Sequence, residues 1–261
     1  MSEPVLQSEN TGSIRVLTLN RPKALNALNA PLISQLHEAL QAAESDVNVR
    51  VVILQGAGDR AFVAGADITE LEEMSPLDAV AYSRRGHALM NCIDAMCKPV
   101  IAAVQGFALG GGLELALACD FIYASNDSRF GLVEANLGLI PGYGGVGRLT
   151  RRIGEAAARE ALLTAKQYDA EEAFRLGLVN RVVQASELTN AVMQVAETIA
   201  AKSPGSIQVL RSLFEASRGC DHDTTVDLEQ RAFGLIFSDA DAKEGIRAFM
   251  EKRKPEFRGA K

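Results

Sequence analysis

The stretch KPVIAAVQGFALGGGLELALACD, Lys98 to Asp120, decides the reading of this chain. Val100 to Val104 is β-branched and apolar enough for a buried strand, whereas Gly112 to Cys119 is rich in Leu and Ala and fits a buried helix. Gly110, Gly111 and Gly112 lie at the joint. Without Cβ atoms they let the backbone turn sharply and let another molecule approach its N–H groups. A helix start presents unpaired donors with partial positive charge, which suits an oxygen on which negative charge develops. Glu114 stands among Leu113, Leu115, Ala116 and Leu117. Burying such an acid is costly unless it is paired, protonated or used in chemistry, although the helix dipole alone also favours an acid there. No Lys-Ser/Thr follows the glycines, which argues against a phosphate-cradling loop.

Outward from this joint, 261 residues at 48% hydrophobic composition can bury a substantial core in one domain with an appendage. The start, MSEPVLQSEN, lacks an apolar secretory core and no apolar run reaches membrane-spanning length, so a soluble, cytoplasmic protein with no membrane partner is expected. Cys92, Cys97, Cys119 and Cys220 form no CxxC pair and lie mostly in apolar surroundings, so reduced, buried thiols and no metal site are expected. A net charge of −6 argues against nucleic acid as a general partner. An anionic ligand then needs local cations, for which Arg21 and Lys23, or Lys252, Arg253 and Lys254, are candidates beside the plainer reading of solvated faces.

Toward the N-terminus, Arg15 to Asn20 alternates as a strand, Pro22 breaks the pattern, and Leu32, Leu36 and Leu40 give the buried stripe of a helix with Pro31 in its first turn. Arg50 to Gln55 is a further strand. In AFVAGADITEL, Ala61 to Leu71, Asp67 and Glu70 have the spacing of a capping box with a helix beginning at Ile68. The small residues before it leave the N–H of Ala66 open to a ligand. This entrance and Gly110 to Gly112 can each offer one donor to a carbonyl oxygen.

Beyond Asp120, FIYAS is a strand, and SRFGLVEANLGLIPGYGG leads to a helix containing Gly147 to Ala165. Gly142, Gly144 and Gly147 satisfy GxGxxG, but Pro141 precedes them and no βαβ nucleotide-binding context surrounds them. Glu134, between Val133 and Ala135, is read either as a helix-start acid or salt-bridge partner, or as a catalytic group. Gly177 to Val183 is a late strand, and from Ser186 the pattern is helical, with Ser203-Pro204-Gly205 punctuating the tail. No GxSxG is present, and His37, His87 and His222 lie outside these motifs; His87 reads as a surface residue or as part of an acyl pocket.

Four segments, NRPKALNALN, AFVAGADITEL, VIAAVQGFALGGGLELALACD and FGLVEANLGLIPGYGG, with AFMEKRKPEF at the end, occur in the order of the crotonase (enoyl-CoA hydratase/isomerase) superfamily, which this chain resembles over nearly its whole length. The resemblance implies an α/β fold, a spiral of ββα units, with residues 1–200 as core and 201–261 as a helical oligomerisation region building trimers, often paired into hexamers. It implies acyl-CoA thioester substrates, no metal, and no cofactor apart from the CoA of the substrate itself. Ala66 and Gly111 align with the family's oxyanion-hole amides, and Glu114 and Glu134 with its two hydratase carboxylates. Ala24, Ala64 and Ile68 fall in segments that line the CoA and pantetheine path, while Phe249 and Lys252 align with tail positions approaching the CoA of a neighbouring subunit. The implied reaction is reversible hydration of a trans-2-enoyl-CoA in fatty-acid or related acyl-CoA degradation. Glu134 is assigned as principal acid/base, and Glu114 as the partner that positions and helps activate water. An isomerase of the same family is the nearest alternative, and a noncatalytic CoA-binding or RNA-binding scaffold the alternative from another class. Tyr143, Val146 and Gly147 depart from the hydratases' frequent Pro-Gly-Ala-Gly-Gly-Thr-Gln, a departure that bears on acyl-chain preference.

Overall fold

The computed structural model describes residues 4–258. The chain opens with a hairpin, β1 (Leu6–Thr11) and β2 (Ile14–Leu19), followed by α1 (Ala30–Ser45), β3 (Val51–Gly56), β4 (Ala61–Val63) and α2 (Pro76–Ala95). The strand–strand–helix order repeats in β5 (Val100–Val104), β6 (Phe107–Leu109) and α3 (Gly111–Ala118). It repeats again in β7 (Phe121–Ser125), β8 (Arg129–Gly131) and α4 (Gly145–Ile153). Next come α5 (Glu155–Thr164), β9 (Tyr168–Asp169), α6 (Ala170–Arg175), β10 (Arg181–Val183) and α7 (Leu188–Ala200). The chain then runs through α8 (Pro204–Ala216), α9 (His222–Ile236) and α10 (Ala240–Met250).

In the repeated units the first strand joins one sheet and the second joins another. The larger sheet has the order β1-β2-β3-β5-β7-β10 and the smaller β4-β6-β8-β9. From β2 to β10 the larger sheet is parallel, so each return to it requires a crossover, and the result is the spiral of ββα units. Side chains alternate along a strand, and both faces of this sheet are buried. Leu17, Leu19, Val52, Leu54, Val100, Ala102 and Val104 enter the main core with Leu32, Leu36 and Leu40 of α1. Ile14, Val51, Ile53, Ile101 and Ala103 enter a second cluster with Leu188, Val192 and Ala196 of α7.

Three sequence expectations are corrected. Ile68–Glu70 is a single 3-10 turn, not a longer helix. Asp67 does cap it, accepting from Thr69 N, but Glu70 does not close a capping box: its carboxylate accepts the N–H of Ala30 at 3.1 and 3.2 Å, at the start of α1. The helix expected over 147–165 is two helices, because Gly154, at φ 81°, ends α4 and begins α5. Of Gly177 to Val183, only Arg181–Val183 is strand.

Polar anchors tie α8 and the segment after α10 to the core. Arg211 of α8 pairs with Asp120 at 2.8 Å and donates to the carbonyl of Ile93, and Arg50 donates to the carbonyls of Ala200 and Phe257. Large apolar side chains on these helices, Leu210, Phe214, Phe233, Ile246 and Phe249, are exposed. Among the described residues no helix is long and apolar enough to cross a membrane. Cys119 is buried, but Cys220 is exposed, against the expectation of apolar surroundings.

Candidate functional site

The joint between β6 and α3 is built as its glycines imply. Gly110 takes φ +49°, and Gly112 lies so close to β4 that a β-carbon there would sit 2.0 Å from the Val63 carbonyl oxygen. Gly111 begins the helix and cannot donate within it.

Ala66 is placed by a different device. Asn26, fully buried at φ 56°, donates to the carbonyls of Ala57 and Ala61 and accepts from Arg21 N, fixing the loop after β2. Leu28 then bridges to Ala66 as in a parallel ladder: Leu28 N donates to Gly65 O and Asp67 N to Leu28 O, both at 2.8 Å. In such a bridge the N–H of Ala66 itself points away from Leu28. Neither the Ala66 nor the Gly111 amide has an acceptor among the described residues. Both residues line one cavity of about 680 Å³, within the range of small-molecule sites.

Glu114 and Glu134 line the same cavity, in unlike surroundings. Glu114 is 1% exposed, and its Oε1 accepts the N–H groups of Tyr143 at 2.8 Å and Gly145 at 2.7 Å. The residue also lines the cavity. Burial raises its pKa, opposed by those two amides and by the Arg148 charge. These donors, Tyr143 and Gly145, lie between the glycines that satisfy GxGxxG, so that loop wraps a carboxylate of the protein itself. Arg148 braces this loop, donating to the Tyr143 carbonyl and pairing with Asp94 of α2 at 2.5 Å.

Glu134 starts a 3-10 turn, Glu134–Leu137, after β8. Its Oε1 faces the glycine joint, where a β-carbon at Gly110 would lie 3.1 Å away. Its Oε2 is buried without a hydrogen-bond partner. Burial pushes its pKa up to about 7, opposed by its own backbone N–H and aided by the charge of Glu114. Two carboxyls thus line one cavity in unlike surroundings, one held by two amides of the loop before α4 and the other helped only by its own backbone N–H.

The other expected residues are distributed as follows. Ala64 and Ile68 line the cavity; Ala24 is exposed on the turn Pro22–Ala24 and is not among the lining residues. Phe249 and Lys252 lie at the end of α10, exposed and outside this cavity of their own chain. His87, half-buried on α2, does line it, beside Tyr82 and Ser83. Arg21 is not free to bind an anion, since it pairs with Asp67 at 2.8 Å and donates to the Ala27 carbonyl. Arg253 is engaged by Glu244 and Glu251, both at 2.6 Å, so of the cluster Lys252 to Lys254 the two lysines are without an ion pair among the described residues. Sequence reasoning missed Asn26, Arg148 and the Tyr143 and Gly145 amides. The glycine run was the signal for the last two.

A spiral of two sheets that brings to one cavity two carboxyls and two amides without an acceptor among the described residues is the frame of an enzyme that works on an activated carbonyl compound. The family model for enoyl-CoA hydratase/isomerase matches residues 9–260, and the chain belongs to that family. It is 43% identical over 248 residues to a short-chain-enoyl-CoA hydratase of Clostridium acetobutylicum, with 95% of each chain covered. It is also 43% identical to a crotonyl-CoA hydratase of Syntrophomonas wolfei, covering 95% of this chain and 96% of the relative. Among solved structures, an enoyl-CoA hydratase from Bacillus anthracis superposes with a TM-score of 0.95 at 35% identity, covering 98% of this chain and all of that one.

Proposed function

We propose that this chain adds water reversibly across the 2,3 double bond of a trans-2-enoyl-CoA to give the 3-hydroxyacyl-CoA. The observation that carries the reading is the meeting of two unlike carboxyls with two unpaired amides on one cavity. The thioester oxygen sits between the Ala66 and Gly111 amides, which stabilise the charge it gains as water attacks C3. Glu114, oriented by its two amide donors, positions the water and accepts its proton, while Glu134 delivers a proton to C2. The oxygen of water bonds to C3, a proton goes to C2, and the pair ends with its proton on the other carboxyl. These protonation states belong to the coupled pair rather than to either residue alone.

Isomerisation of a 3-enoyl thioester asks for one acid. The second carboxylate, fixed on the same cavity, favours hydration. The thioester's pantetheine arm passes Ala64 and Ile68. The apolar side chains exposed on α8 to α10 support assembly into a trimer or a pair of trimers, in which Phe249 and Lys252 reach a neighbour's CoA. Loss of the conjugated-enoyl absorbance of crotonyl-CoA on adding the purified protein tests the proposal. No loss with any enoyl-CoA sinks it.

A further inference from the structure

The ring of Tyr143 stands between α2 and α3 beside the paired carboxyls. A β-carbon on Gly86 of α2 would lie 1.9 Å from its Cδ1 and 2.1 Å from its Cε1, so one edge of the ring rests directly on glycine backbone. The opposite edge meets α3, where a β-carbon on Gly111 would lie 3.3 Å from Cε2. Tyr82 packs on the same ring, with centroids 5.5 Å apart. The backbone is pinned as well, by the N–H given to Glu114 and by the carbonyl taken by Arg148. The phenol oxygen is buried and makes no hydrogen bond of ordinary length, so the side chain contributes bulk rather than polar contact.

The consequence follows from where a substrate must lie. With the thioester oxygen between Ala66 and Gly111 and C3 facing Glu114, the next carbon of the acyl chain leaves C3 beside the residue whose amide holds Glu114. We infer that Tyr143, seated on Gly86, is the wall that limits acyl length, so that the enzyme prefers 2-enoyl thioesters of crotonyl size over chains a few carbons longer. This rests on the hydratase reading of the same site. Gly86 is part of the device, because any side chain there would take the space of the ring and drive it toward the substrate.

The test compares kcat/KM for crotonyl-, hexenoyl- and octenoyl-CoA in the parent and in Tyr143→Ala, Tyr143→Leu and Tyr143→Phe. The parent is expected to lose efficiency with each lengthening. Tyr143→Ala is expected to raise the octenoyl-to-crotonyl ratio by about tenfold or more, the scale on which one or two methylenes are discriminated in an apolar pocket. Tyr143→Leu, the milder cut should Tyr143→Ala aggregate, moves the ratio the same way. Tyr143→Phe keeps the ring and therefore the parent ratio, whatever its absolute rate. A parent that hydrates octenoyl-CoA as well as crotonyl-CoA overturns the inference and leaves the hydratase reading intact. So does an unchanged ratio in folded Tyr143→Ala or Tyr143→Leu. A parent inactive on every enoyl-CoA overturns both.

Discussion

In Glu114→Gln the side chain keeps its length and one acceptor oxygen, so the amides of Tyr143 and Gly145 retain a partner while the charge is lost. Hydrogen bonds to an ionised group contribute about 1.5–3 kcal/mol and neutral ones about 0.5–1.5, so the pair weakens by roughly 2–3 kcal/mol in all. Against this stands relief from burying an ion, a penalty of several kcal/mol that already outweighs the two amides, since the Glu114 pKa is raised rather than lowered. The variant is therefore expected to be as stable as the parent or more so. Its chemistry fares differently. Without a group to take the proton of water, hydration should fall by about 10² to 10⁴, equivalent to roughly 3–5 kcal/mol in the barrier. Thermal unfolding and the crotonyl-CoA absorbance assay, run on one preparation, separate the two effects. Turnover at the parent rate would remove Glu114 from the mechanism. A melting temperature many degrees lower would show instead that the carboxylate is chiefly a structural link between α3 and the loop before α4.

Three further outcomes are expected. Gly112→Ala places a β-carbon 2.0 Å from a backbone oxygen of β4, and should cost at least the roughly 1–3 kcal/mol of ordinary overpacking in denaturant titrations; parent-like stability would contradict the close approach. Glu134 binds its proton up to about pH 7 in the folded chain but only to the ordinary carboxyl range when unfolded, so parent stability should decline as pH rises from about 4.5 to about 7. Glu134→Gln should flatten that decline, and denaturation midpoints across the window that fall equally in both proteins would refute the shift. Lys252→Glu should raise KM for crotonyl-CoA more at low salt than at high salt with little change in kcat; an unchanged KM removes Lys252 from CoA binding.

The parts of the fold that were legible from sequence are those where one residue type has one cheap explanation. The stripe Leu32, Leu36, Leu40 and the apolar run Val100 to Val104 occupy the buried places their periodicity implies. Gly110 to Gly112 likewise form the turn into a helix. Boundaries failed where a remote partner outbid the local pattern. Glu70 had the spacing of a capping box, but the free N–H of Ala30 lies across the structure, and no local rule reports a distant helix start in need of an acceptor. Arg21 looked like a cation for a ligand until Asp67, 46 positions later, came within 2.8 Å. Asn26 reaches Ala57 and Ala61, and Arg148 reaches Asp94, through such remote contacts, which sequence spacing does not encode.

Two glycine clusters meet at this site and use the same property of the backbone in opposite directions. At Gly110 to Gly112 the missing side chains shape a turn that leaves the Gly111 amide on the cavity without an acceptor among the described residues, where a substrate oxygen can take it. At Gly142 to Gly145 they let the chain wrap inward, so that two amides are spent on Glu114. Glu134 receives no comparable donors from the loop, and its Oε2 lies buried without a partner. Apolar surroundings alone would raise both acids. The inward-facing cluster opposes that rise at Glu114, whereas at Glu134 burial and the neighbouring charge carry the carboxyl to about 7. Hydration needs one carboxyl that accepts a proton while its neighbour gives one up at the same pH. In the proposed mechanism the asymmetry of the glycine loops supplies that difference between two chemically identical side chains. Filling the second cluster should therefore level the pair: a β-carbon at Gly145 would lie 2.9 Å from Oε1 of Glu114, so Gly145→Ala is expected to displace that carboxylate and lower crotonyl-CoA hydration even though the carboxyl itself is unchanged.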